Sequence, residues 1–327
     1  MNGVTLDEEE EVARHFENGK QAYNAKQFHK AAKEFSLALL HGINDNLKCV
    51  LWLWKGHTLS KIPGCSLDDT IYCFDKVIEL NPELVSAFNA KAWVLDRVGL
   101  HELAVECYAR SLTLNPMDAK ALCNKGFSYD KCYKHEEALR CYNRALEIKP
   151  ECFSSLNNKG ACLNFLGRYE EAIACLTQAY RLNPVANPLT HLGLAQCRIG
   201  QLRVGMQNIM RALKLNTSYP NGWYNRGAIL VDYGWYQLAK ECFERATAVD
   251  ELHEPAKWAL NQLTSMTAKE PSLKNKIILQ ILKNPKAFSK AKLSVLPGDV
   301  IQDIETAKLL QVHIKTDLAE ESQFMLT

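Results

Sequence analysis

The sequence predicts an all-α fold in which about seven helical hairpins stack as a solenoid, closed on the C-terminal side by a capping helix. Three observations predict it. Pro82, Pro116, Pro150 and Pro184 stand 34 residues apart, and Leu80, Leu114, Ile148 and Leu182 keep the same interval. Small residues form two columns with a single one-residue slip: Ala104, Ala138, Ala172, Gly205, Ala239 and Ser111, Ala145, Ala179, Ala212, Ala246. A third column, Gly126, Gly160, Gly193 and Gly227, has Ala92 in its slot one period earlier. A fixed period of this length marks a chain built by repeating one supersecondary unit.

Each period holds two amphipathic helices. Between Ala119 and Cys132, Leu122, Gly126 and Tyr129 recur at helical spacing; between Glu136 and Ile148, Ala138, Tyr142 and Ala145 do the same. Small residues at fixed points let neighbouring helices approach, and a bulky side chain such as Tyr142 fills the space between them. The proline lacks an amide hydrogen and disfavours helix in the residue before it, so it ends the second helix.

These columns resemble the tetratricopeptide repeat superfamily, whose unit is a 34-residue helix–turn–helix. Residues 153–186 carry the family pattern as Leu156, Gly160, Leu163, Tyr169, Ala172, Leu176, Ala179 and Pro184. On this reading an acidic segment, 1–11, precedes seven repeats at 12–48, 49–84, 85–118, 119–152, 153–185, 186–219 and 220–253. A capping helix, 254–267, with Trp258 and Leu260, and a tail, 268–327, follow. The resemblance implies a right-handed superhelix. Three repeats depart from the pattern. The first lacks its proline, and the loop His41 to Asn46 lengthens it; the second has Thr70 at the alanine slot and two extra residues in its turn; the sixth loses one residue and has Gly205 at the alanine slot. Curvature is expected to be least regular there.

Charge and motifs narrow the function classes. With 39 Lys+Arg against 37 Asp+Glu the formal charge is +2, which argues against a dedicated polyanion binder. Ile277 to Leu282 is far too short to span a bilayer. Asp7 to Glu11 occupy the place where a secretory signal needs a positive start and an apolar run, so a soluble cytoplasmic protein is expected. Five of the twelve cysteines, Cys73, Cys107, Cys141, Cys175 and Cys242, share one repeat position, and no Cys-x-x-Cys occurs. That is the pattern of small packing residues, and no metal or cofactor is expected. Phosphate-loop, dinucleotide, metalloprotease and serine-hydrolase motifs are absent, and catalysis is rejected.

Function is expected in the concave groove lined by the first helix of each hairpin. By analogy with the family, the residue two before the glycine slot points into it; the sequence has Glu17, Trp54, Ala90, Asn124, Asn158, His191 and Asn225 there, with Asn89 and Asn157 one position earlier. An amide carries donors and an acceptor, so such a ladder suits the main chain of a partner peptide. Asparagine is also the family's consensus at that place, partly as a solvated helix residue, and that alternative stays open. Trp93 and Phe127, one residue after the glycine slot in adjacent repeats, are the candidate apolar anchors, framed by Asp96, Arg97, Asp130 and Lys131 with mixed charge. Aromatic stripes at helical spacing also serve as core, and that reading stays open too.

A carboxylate clamp of the kind that grips chaperone tails is disfavoured. Phe16 and Lys20 stand where it needs lysine and asparagine, and Ser86, Ala90, Ser154 and Asn158 fill its basic slots. The tail changes sign: 268–292 hold seven lysines and one acid, and 293–327 hold six acids and two lysines. The expected partner is another protein, bound as an extended peptide or helix. The rivals are a structural subunit of a larger assembly and an adaptor contacting membrane or nucleic acid through the lysine-rich stretch beside Leu273, Ile277, Ile281 and Leu282.

Overall fold

The computed structural model describes residues 6–266. The expectations for 268–292 and 293–327 lie outside the described residues. Among those described, the chain forms fifteen α-helices and no strand, the all-α repeat fold that the columns predict. In order they are α1 (Leu6–Asn24), α2 (Phe28–Ala38), α3 (Asp45–Leu59), α4 (Leu67–Leu80), α5 (Val85–Arg97), α6 (His101–Leu114), α7 (Ala119–Lys131), α8 (His135–Ile148), α9 (Phe153–Phe165), α10 (Tyr169–Leu182), α11 (Ala186–Arg198), α12 (Leu202–Leu215), α13 (Pro220–Asp232), α14 (Tyr236–Val249) and α15 (Glu254–Met266). None of the described helices is long and apolar enough to cross a membrane. The described residues divide into two compact blocks, 6–162 and 163–266.

In three of the four hairpins of the first block a ring lies over a missing side chain. Phe35 lies against Gly19, Phe74 against Gly56 and Tyr142 against Gly126, so close that a Cβ on Gly126 would stand 2.7 Å from the Tyr142 ring. Phe35, Phe74, Tyr108 and Tyr142 are completely buried, as are Ala104, Ala138, Ser111 and Ala145 of the small-residue columns. Burying an aromatic side chain of this size contributes about 1.5–3 kcal/mol relative to leaving it exposed. Helix α3 starts at Asp45, ahead of the residue 49 at which the second repeat was placed. Asn44 caps it, its side chain accepting a hydrogen bond from the Leu47 amide at 2.9 Å.

In the second block Ile209 and Phe243 lie against Gly193 and Gly227 in the same way. Gly205, the departure at the alanine slot, has a local reason. A Cβ on Gly193 would stand 2.5 Å from the Gly205 carbonyl oxygen, so α11 and α12 meet backbone to backbone, closer than an alanine at either place permits. The base of this block is a cluster that includes Met206, Leu213, Trp223, Phe243 and Leu263. In α15, Ala256, Ala259 and Leu263 are buried while Trp258 is 64% exposed.

The turn between the two helices of a hairpin reverses through a left-handed residue. Gly99, Gly167, Gly200 and Gly234 hold φ values from 74° to 85°, and in the fourth hairpin the exposed Tyr133 stands in that place with φ 58°. Left-handed backbone costs an L-residue about 1–2 kcal/mol, part of which glycine's greater chain entropy offsets. Tyr133→Gly is therefore expected to stabilise the fold by about 0.5–1 kcal/mol, read as a higher urea midpoint at unchanged slope.

Candidate functional site

The first block carries a cleft of about 350 Å³ formed by the first helices of three successive hairpins. Its lining comes from the C-terminal end of α3 (His57, Ser60, Lys61), the outer face of α5 (Ser86, Asn89, Ala90, Trp93) and the first turns of α7 (Lys120, Ala121, Asn124). The repeat register explains why these residues converge. Ser86 and Lys120 occupy one repeat position, Ala90 and Asn124 another, and His57 and Trp93 a third, so the 34-residue period places like positions side by side. The volume lies at the lower end of the range typical of ligand sites.

Trp93 is the main apolar surface here. It is 39% exposed, with the Lys61 ammonium 5.2 Å and the Arg97 guanidinium 4.9 Å from the indole ring centre. Arg97 is held by donating to the Ser60 carbonyl at 2.7 Å. One repeat on, Phe127 is 36% exposed with the Lys131 ammonium 5.3 Å from its ring. One repeat back, desolvation and the neighbouring Lys61 hold the His57 imidazole below its ordinary pKa, so at neutral pH it is an uncharged ring. The three hairpins thus repeat one pair, a ring followed four residues later by a cation: His57 and Lys61, Trp93 and Arg97, Phe127 and Lys131.

The acids expected beside those rings are engaged elsewhere. Asp96 accepts from the Ser128 hydroxyl at 2.8 Å and pairs with His101 Nδ1 at 2.9 Å; its side chain is 8% exposed. Asp130 pairs with His135 Nδ1 at 2.6 Å. Of the expected mixed-charge frame, Arg97 and Lys131 are exposed while both carboxylates pair with histidines.

The amides divide similarly. Asn124 lines the cleft half-buried, its side chain near the Tyr108 hydroxyl, whose pKa burial and Asp96 push up. Asn89 donates to Asp118 Oδ2 at 3.2 Å, and its own side-chain oxygen is shut away with no partner. Asn157 is buried and donates to the half-buried Asn158 at 3.2 Å. In the second block His191 is half-buried, its carbonyl accepting from Asn164 at 2.8 Å, and Asn225 is only 7% exposed. An exposed amide ladder through Asn157 and Asn225 is not what the structure presents, because both sit inside helix packing.

One further cluster was not read from the sequence. Asp130, His135 and Cys162 bring three ligand-type atoms within 4.8 Å of one another. The Cys162 thiol donates to the His135 carbonyl at 3.4 Å. One repeat earlier Asp96, His101 and Ser128 occupy the corresponding positions, with the Ser128 hydroxyl donating to the Asp96 carboxylate instead of to a histidine carbonyl. The recurrence with serine marks the cluster as a hydrogen-bonded staple between a hairpin and the next first helix. Elsewhere burial pushes the thiols of Cys73 and Cys123 up to about 11 and that of Cys197 to about 12, which keeps them protonated and poor nucleophiles or ligands.

The tetratricopeptide repeat family model matches residues 119–152 and 153–184, and a second model of the same repeat matches 85–117 and 220–251. The repeats left unmatched are the first, second and sixth, the three that depart from the pattern. Among solved structures, a tetratricopeptide repeat protein from Parabacteroides merdae ATCC 43184 is 15% identical, covering 78% of this chain and 99% of that one with a TM-score of 0.67. MamA is 20% identical over 54% of this chain and 93% of its own, TM-score 0.47. YrrB, described as a TPR protein with an unusual peptide-binding site, is 23% identical over 57% and 96%, TM-score 0.42. No curated protein matches the sequence. Four of the hairpins, the third, fourth, fifth and seventh, are thus tetratricopeptide repeats.

Proposed function

We propose that the chain is a non-catalytic adaptor that holds a segment of a partner protein against α3, α5 and α7. The observation that carries the reading is the cleft itself: three helices from successive repeats leave a half-exposed tryptophan at its floor, flanked by cations and the Asn124 amide. Buried aromatic and arginine anchors dominate binding energies, whereas each main-chain hydrogen bond nets only about 0.5–1.5 kcal/mol. Trp93 is thus the energetic centre and Asn124 an orienting group. Twelve cysteines, none of them in a disulfide, suit a reducing compartment, in keeping with a cytoplasmic protein.

The test begins with peptides selected from a random phage-displayed 12-mer library on the full chain. Trp93→Ala is expected to weaken the best of them by about thirtyfold, the size of an interface hot spot. Leu103→Ala, an exposed leucine on α6, is expected to leave them unchanged. Equal losses from the two variants, or none from Trp93→Ala, would discard the proposal.

A further inference from the structure

We infer that the segment held by this cleft is acidic, with aspartate or glutamate side chains flanking an apolar or aromatic residue that rests on Trp93. The inference rests on the groove reading above and adds the chemistry of the partner. Four cations surround the cleft and its continuation along α7: Lys61, Arg97, Lys120 and Lys131. None of the four makes an ion pair among the described residues. Lys61, Arg97 and Lys131 instead lie over aromatic faces, an arrangement that leaves an ammonium or guanidinium able to accept a carboxylate at its outer edge.

The acids nearby are already satisfied. Asp96 is bound by Ser128 and His101, and Asp130 by His135. Asp118 accepts from Asn89 and from the first amides of α7, Lys120 and Ala121. Asp75 is paired with Lys91. No aspartate or glutamate appears in the cleft lining, so the cations there face it without counter-ions. A basic segment would meet like charge at Lys61 and Lys120. A neutral segment would leave Lys61 and Lys120 to be desolvated with nothing in return. The field is local, because the whole chain carries only +2. With so few cations on one face, a nucleic acid would lack the many phosphate contacts that its affinity requires.

The experiment compares library selections on the wild-type chain and on the double variant Lys61→Glu/Lys120→Glu, with circular dichroism confirming that both are folded. The wild type is expected to return peptides of net negative charge, and the reversed cleft to return basic ones. For the best wild-type peptide, Lys61→Gln/Lys120→Gln is expected to weaken binding about threefold to tenfold, the effect of two rim charge pairs. Raising the salt from 50 to 500 mM is expected to weaken it further by screening. Neutral or basic wild-type peptides that bind independently of salt but still require Trp93 would overturn the acidic assignment and leave the groove reading standing. Peptides insensitive to Trp93→Ala, or no selected peptides at all, would remove both. A 12-nucleotide oligouridine that displaces the peptide at lower concentration would reassign the cleft to nucleic acid.

Discussion

Tyr142→Ala is expected to cost about 3–5 kcal/mol, and Tyr142→Phe to cost nothing or to stabilise by about 1 kcal/mol. The ring is completely buried and lies over Gly126, so truncation leaves a cavity between two helices whose backbones cannot close it. The hydroxyl contributes the opposite sign. It is buried with no hydrogen-bond partner, and burial together with nearby Asp130 pushes its pKa far up, so it stays a protonated, unsatisfied donor. Removing it relieves a desolvation cost while leaving the packing intact. Urea unfolding of both variants checks the pair; a phenylalanine variant as damaged as the alanine variant would mean that the hydroxyl has a partner in solution.

Gly193→Ala is expected to be the most costly of the glycine-slot substitutions, at about 3 kcal/mol, the upper part of the range for overpacking. The added Cβ would meet the Gly205 carbonyl at 2.5 Å and Ile209 at 2.6 Å, and a carbonyl in a helix cannot rotate aside. Gly126→Ala meets only the edge of a tyrosine ring, and the third hairpin already tolerates Ala92 beside Tyr108. That variant should cost about 1 kcal/mol. Because a repeat array can lose one hairpin without unfolding throughout, hydrogen exchange across α11 and α12 is the sharper readout. Equal protection losses in the two variants would contradict the distinction between backbone and ring contacts.

Much of this packing was legible because the period ties like positions together. The columns at Ala104, Ala138 and Ala172 and at Ala145, Ala179 and Ala212 are fully buried, as small residues in a helix-to-helix contact must be. The structure supplies what periodicity cannot: the direction of a polar side chain and its partner. Asp96 and Asp130 sit at groove register, yet each turns to the histidine five residues later, and Ser128 reaches Asp96 from the next first helix, 32 residues away. Asn89 stands in the same row as the cleft but is claimed by Asp118, which caps the following helix. The signal for these staples was present as Asp-x-x-x-x-His in two consecutive repeats. It concerns pairing between repeats, whereas the columns report positions within one. Gly205 shows the converse. The sequence marks it as an irregularity, and its cause is visible only as the backbone of Gly193 beside it.

Trp93 and its neighbours were legible as a register and illegible as a field. The sequence alternates acid and base around them, whereas the fold sequesters the acids and leaves Lys61, Arg97 and Lys131 stacked on or beside rings. A crystal structure of the full chain with its tightest selected 12-mer resolves whether that surface is the binding face. The prediction is peptide density in van der Waals contact with the Trp93 indole, between Lys61 and Lys120 and within hydrogen-bond reach of the Asn124 amide. Peptide lying along α4, α6 and α8, or bound only to residues 163–266, would contradict it.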